Sequence, residues 1–115
     1  MRDYRKYNVW EMGHKITLDV YKMTKGFPKD EIYGIPSQMR RASYAIPLNI
    51  AEGCGREPDA EFKRFLIISQ GSASELEFFS FLVKDLGYIS DSVYQEINEK
   101  INKVKRSLHS LISKI

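Results

Sequence analysis

The sequence has 115 residues, of which 43% are hydrophobic and 29% charged, and a net charge of +3, the size and balance of one globular domain too short for a two-domain enzyme. No apolar run approaches the roughly 20 residues that span a bilayer, and the polar N-terminus lacks a signal peptide's apolar core, so a cytoplasmic protein without a membrane partner is expected. Cys54 is the single cysteine, which excludes an intrachain disulfide and a cysteine metal cluster.

The charge is uneven. Residues 1–29 carry seven basic against three acidic groups, and from Lys100 onward there are five Lys and Arg and no carboxylate. Cationic ends suit a polyanionic partner through counterion release, or serve as solvated faces.

Apolar residues recur at alternating steps of three and four in four segments, the period of helices packed as a bundle. The first stripe is Val9, Gly13, Ile16, Val20, Met23, Phe27. Asn8 and Glu11 have the spacing of a capping box, and Tyr7 and Met12 that of a hydrophobic staple, so a helix is predicted over about 9–25. Two glycines and two prolines then mark a loop up to Gly34.

The second stripe, Ile35, Met39, Ala42, Ile46, Asn49, Gly53, predicts a helix over about 35–53, with Pro36 harmless in its first turn. Pro47 and Asn49 are anomalous. Pro47 removes the donor to the Ser43 carbonyl, so the helix should bend or loosen there. Asn49, on the inward seam, is expected to bond freed backbone groups or a facing helix and so fix register. Gly53 and Gly55 are read as left-handed terminators, because a phosphate-binding loop needs a preceding strand and a different spacing.

The third helix is predicted from about 59 to Gly87. Its stripe of Phe62, Leu66, Ser69, Ala73, Leu76, Ser80 and Val83 faces the core, while further faces carry Ile68 and Phe79, and Ile67, Phe78 and Phe81. A helix apolar on most of its circumference needs more cover than a small bundle supplies, so another subunit is expected on it, approaching closely at the small residues around Gly71. The fourth stripe, Tyr94, Ile97, Ile101, Val104, Leu108, Leu111, Ile115, is a strict heptad within a helix over about 91–115, with Ser90 or Ser92 as N-cap. Short connections make neighbours antiparallel: an all-α, up-down-up-down four-helix bundle forming a single domain over 1–115.

Chemistry is sparse. Glu11 and His14 match one half of a di-iron motif, but the other histidine, His109, follows Arg106 rather than a glutamate, so no metal or other cofactor is expected. No nucleophile, base and oxyanion set is apparent, and no catalytic residue is assigned. Glu75 and Glu52 are read as buried carboxylates paired with Arg40, Arg41 or Arg56 rather than as general acids, since an unpaired buried charge costs several kcal/mol.

"SQMRRASYAIPLNIAEGCGR" (37–56), "EFKRFLIISQGSASELE" (61–77) and "LGYI" (86–89) together resemble the four-helix bundle family encoded by intervening sequences of bacterial 23S ribosomal RNA genes, also described as S23 ribosomal protein-like. The same family includes the accessory variability proteins of diversity-generating retroelements. The resemblance implies a left-handed antiparallel bundle, often a ring-shaped homopentamer, without catalytic activity. For the retroelement members it also implies a basic pore or surface that binds nucleic acid and a partner reverse transcriptase.

Two functions are therefore weighed. In the first, an oligomer binds RNA or DNA electrostatically through Arg40, Arg41, Arg56, Lys63, Arg64, Lys100, Lys103, Lys105 and Arg106. In the second, a protein-interaction scaffold or accessory subunit presents aromatic residues such as Tyr4, Trp10, Tyr21, Tyr33 and Tyr44 to a protein partner. The signature residues Pro47, Asn49, Glu52, Gly53, Gly71 and Glu75 serve the fold in both.

Overall fold

The computed structural model describes residues 2–31 and 34–115, leaving Tyr33 outside the described residues. Four helices make the fold: α1 (Asn8–Thr24), α2 (Ile35–Cys54), α3 (Asp59–Asp85) and α4 (Asp91–Ser113), with 3-10 turns at Tyr4–Lys6 and Lys29–Glu31. Each helix packs on the next and α4 closes back on α1. Residues 55–58 join α2 to α3 and residues 86–90 join α3 to α4, connections so short that helices packed side by side run antiparallel. The chain is thus an all-α four-helix bundle of 43 × 24 × 19 Å.

The core follows the stripes. α1 buries Val9, Gly13, Ile16 and Val20, and α4 buries Ile97, Ile101, Val104 and Leu108. In α2 the stripe departs from expectation after Ile46: Ile50 is fully buried and Asn49 only half-buried. A step of four follows the inward face here, where the sequence equally allowed a step of three. Asn49 Nδ2 donates to the Ala45 carbonyl at 2.8 Å, a bond within its own helix, so this contact sets no register between helices.

α2 runs unbroken through Pro47. The Ser43 carbonyl, which lacks a donor at position 47, has the Thr17 hydroxyl of α1 at 3.0 Å; the same hydroxyl lies 2.9 Å from the Gly13 carbonyl, so its one proton is shared. Three residues on, the Ile46 carbonyl receives the Ser69 hydroxyl of α3 at 2.8 Å. Side chains from both neighbours therefore bond the α2 backbone around the proline.

Two glycines act through contact rather than conformation. A Cβ on Gly13 would stand 2.9 Å from Ile46 Cγ2, and one on Gly53 would stand 2.9 Å from Phe65 Cβ. Gly53 is helical and Gly55 has φ −79°, so neither is the left-handed terminator expected. Among the described residues only Gly87 has positive φ, +78°. There the Gly87 N–H bonds the Lys84 carbonyl and the Tyr88 N–H the Val83 carbonyl, the paired bonds that close a helix end with a glycine just past its cap.

The capping expectations divide. Ser90 Oγ accepts from the Val93 N–H at 3.1 Å. Asn8 instead lies inside α1, Tyr7 occupies the cap position without a side-chain bond, and Glu11 pairs with Lys15 at 3.1 Å. Tyr7 rests against the Phe62 ring, which draws the chain entry toward α3. Glu75, expected to be buried and paired, is exposed on the outward side of α3 and forms no ion pair among the described residues.

Candidate nucleic-acid interface

The antiparallel order brings the start of α1, the α2–α3 turn and the end of α4 to one end of the bundle. Of the nine candidate cations, Arg56, Lys63 and Arg64 stand at this end, and Lys105 and Arg106 lie in the half of α4 that runs toward it. Lys100 and Lys103 are mid-helix, and Arg40 and Arg41 lie toward the other end.

Five of the nine are engaged within the chain. Arg40 Nε donates to Thr24 Oγ1 at 2.7 Å and its guanidinium lies 4.8 Å above the Tyr21 ring, fastening α2 to α1. Arg56 meets Glu52 at 3.1 Å, one of the pairings the sequence allowed, but Glu52 is exposed rather than buried as expected. Arg64 holds Glu61 through two nitrogens at 3.0 and 3.2 Å; the hydrogen bond lowers the Glu61 pKa and raises that of Arg64. Lys100 reaches Asp19 at 2.7 Å, a hydrogen bond that pushes its pKa up, and Lys105 reaches Glu77 at 2.9 Å.

Arg41, Lys63, Lys103 and Arg106 form no ion pair among the described residues, and all but the half-buried Lys63 are exposed. Lys103 borders a groove of about 190 Å³ between α1 and α4, with Lys15 and Lys100 beside an apolar floor of Met12 and Ile16. Lys6 and Lys114, which are not among the nine, stand at the same end without an ion pair among the described residues. The excess of cations at the two termini was the signal for them.

Arg2 is a further addition, without a local signal because its partners lie more than fifty residues away. Arg2 donates to the Arg56 carbonyl at 2.7 Å, pairs with Asp59, and lies 4.2 Å above the Phe62 ring. Asp59, Glu61 and Glu52 are occupied by arginines at this end, while the exposed Asp3 and Glu57 form no ion pair among the described residues. Lys6, Lys63, Lys103, Arg106 and Lys114 remain available to an outside anion.

No group of three His, Cys, Asp or Glu side chains among the described residues could hold a metal ion. His14 lies flat against the Trp10 indole, ring centres 5.2 Å apart. Cys54 is buried beneath Arg2, and burial raises its thiol pKa, which disfavours the nucleophilic thiolate. No helix among the described residues is long and apolar enough to cross a membrane.

The model of the 23S rRNA-intervening sequence protein family matches residues 5–110. The chain belongs to this family. A solved crystal structure, of a protein with unknown function from the S23 ribosomal protein family of Bacteroides thetaiotaomicron VPI-5482, aligns with a TM-score of 0.85 over 91% of this chain and 95% of that one, at 23% identity. A likeness at that identity shows the shared fold. Among curated proteins none matches the chain. The matched span takes in all of α1, α2 and α3 and α4 as far as residue 110.

Proposed function

We propose that this intervening-sequence protein is a non-catalytic, self-associating bundle that binds nucleic acid electrostatically. The observation that carries the reading is the set of unpaired cations Lys6, Lys63, Arg106 and Lys114 in the half of the bundle that ends at the α2–α3 turn, where Asp59, Glu61 and Glu52 are taken by arginines, with Lys103 midway along α4. Contacts from lysines and arginines to phosphates carry no sequence information, so affinity built on them is sequence-tolerant and salt-sensitive. Self-association, as a ring in the resemblance described above, multiplies a weak patch into useful avidity. The buried, protonated Cys54 supports a role without covalent chemistry.

Titration of labelled single- and double-stranded RNA and DNA at low and moderate salt tests the reading. Binding that weakens steeply with salt is expected; no binding to any of the four at low salt overturns it.

A second reading, a scaffold or an accessory subunit such as one serving a reverse transcriptase, is favoured by the exposed Ile67, Phe78 and Phe81 of α3, at 49%, 59% and 47% exposure. A protein partner retained after nuclease treatment, with no RNA or DNA affinity in the titration, selects this reading over the first.

A further inference from the structure

The outer faces of α2 and α3 each expose apolar side chains beside a charge that has no partner. On α2, Arg41, Tyr44 and Leu48 follow one another at steps of three and four along the outward side; Tyr44 is 41% and Leu48 56% exposed. Leu48 and Tyr44 border an aromatic groove of about 300 Å³ shared with Tyr4, Trp10 and His14. On α3, Glu75, Gly71 and Ile68 follow one another backward at steps of four and three, and Ile68 is 40% exposed.

Gly71 has no explanation inside the chain. A Cβ there would meet nothing within 4 Å, and its backbone is ordinary helix. Glycine in a helix interior costs about 1 kcal/mol relative to alanine, so a position that gains nothing from it within one chain points to an external contact.

We infer that these two faces dock on each other between two copies of the chain, the outer face of α3 from one copy lying antiparallel on the outer face of α2 of the other. Antiparallel order brings Arg41 opposite Glu75, Tyr44 opposite Gly71 and Leu48 opposite Ile68 in a single register. The absent side chain of Gly71 leaves room for the tyrosine ring, and two unpartnered charges of opposite sign neutralise each other as the apolar pair is covered. With α3 parallel to α2, keeping Arg41 opposite Glu75 sets Tyr44 against Phe78, and keeping Tyr44 opposite Gly71 sets Arg41 against Ile68 and Leu48 against Glu75, so neither satisfies all three pairs.

This inference rests on the self-association proposed above, and assigns Arg41 to a subunit contact rather than to nucleic acid. The test is sedimentation velocity on the whole chain, without nucleic acid, for the wild type, Arg41→Glu, Glu75→Arg and the double variant, each checked for helix content by circular dichroism. All the altered side chains are exposed, so folding is expected to be retained. The expected result is an oligomeric wild type, at least tenfold weaker association in each single variant, and recovery in the double variant, while an equal mixture of the two singles restores the contacts between unlike copies alone. Gly71→Leu, which fills the seat of Tyr44, is expected to weaken association without loss of helix. A wild type that is monomeric at every concentration overturns the self-association itself. An oligomeric wild type that the single reversals leave unchanged, or that the double reversal fails to restore, overturns the pairing of these two faces and leaves self-association standing.

Discussion

The hydroxyl of Thr17 stands 3.0 Å from the carbonyl oxygen of Ser43, the one acceptor in α2 that Pro47 leaves without its helical donor. A proline in a helix interior ordinarily leaves this oxygen to water or bends the helix away from it. Here the neighbouring helix supplies the donor, so the defect becomes a point of attachment.

Thr17→Val should therefore cost about 1–3 kcal/mol, the range for stranding a buried polar group, while Thr17→Ser should cost much less. In a Pro47→Ala background, where residue 47 regains an N–H, the same Thr17→Val change should cost less than in the wild type. Urea unfolding of the four members of this cycle measures the coupling, and purely additive costs would show that the hydroxyl serves some other purpose.

Gly53 and Gly71 should respond oppositely to alanine. At Gly53 the new methyl meets Phe65 and Phe62 at 2.9 and 3.2 Å, so overpacking by about 1–3 kcal/mol is expected. Gly71→Ala, introduced into the Arg41→Glu chain so that association does not contribute, should raise stability by about 1 kcal/mol through helix propensity alone. Thermal or urea unfolding of both variants is the measurement.

Charge removal should separate free from committed cations. Lys103→Glu and Arg106→Glu should weaken nucleic-acid binding uniformly across sequences and lower the slope of log affinity against log salt by about 1 for each phosphate no longer neutralised. Arg40→Gln should leave that slope unchanged and lower stability instead, because its guanidinium is spent on Thr24 and Tyr21.

The Lys100 to Asp19 pair predicts a pH dependence. The hydrogen bond raises the lysine above its ordinary 10.5, so its contribution is full below that value and is lost as the pH rises through the raised one. The stability gap between wild type and Lys100→Gln should be constant from neutrality to mildly alkaline pH and close only when the pH passes the raised value. Because both side chains are well exposed, at 45% and 38%, the gap itself should be under about 1 kcal/mol. Urea unfolding of the two proteins across the alkaline range is the check.

The four helices were legible because their apolar residues repeat with the helical period, and α4 most of all, since its stripe has one inward solution. α2 was ambiguous after Ile46 because Asn49 and Ile50 both satisfy the spacing, and only the packing of α1 and α3 decides between them. Gly53 looked like a terminator because a glycine near a helix end carries the same letter whether conformation or contact demands it. The cationic character of both ends could be counted from the sequence. Which cations are free could not, since that depends on pairs such as Lys105 with Glu77 and Arg2 with Asp59, whose members lie far apart in the chain.

The seam between α1 and α4 differs in kind from the other three. Two solvent-open grooves run along it, of about 320 and 190 Å³, and its cross-link is the exposed pair of Lys100 and Asp19. These grooves leave part of the path along which the helices would separate open to solvent, whereas parting α2 from α3 must break the Ser69 bond and uncover Phe62 and Phe65. Opening of the bundle should begin along this seam, with α4 swinging out on its α3 hinge, and amide exchange in α4 should outpace exchange in the middle of α2.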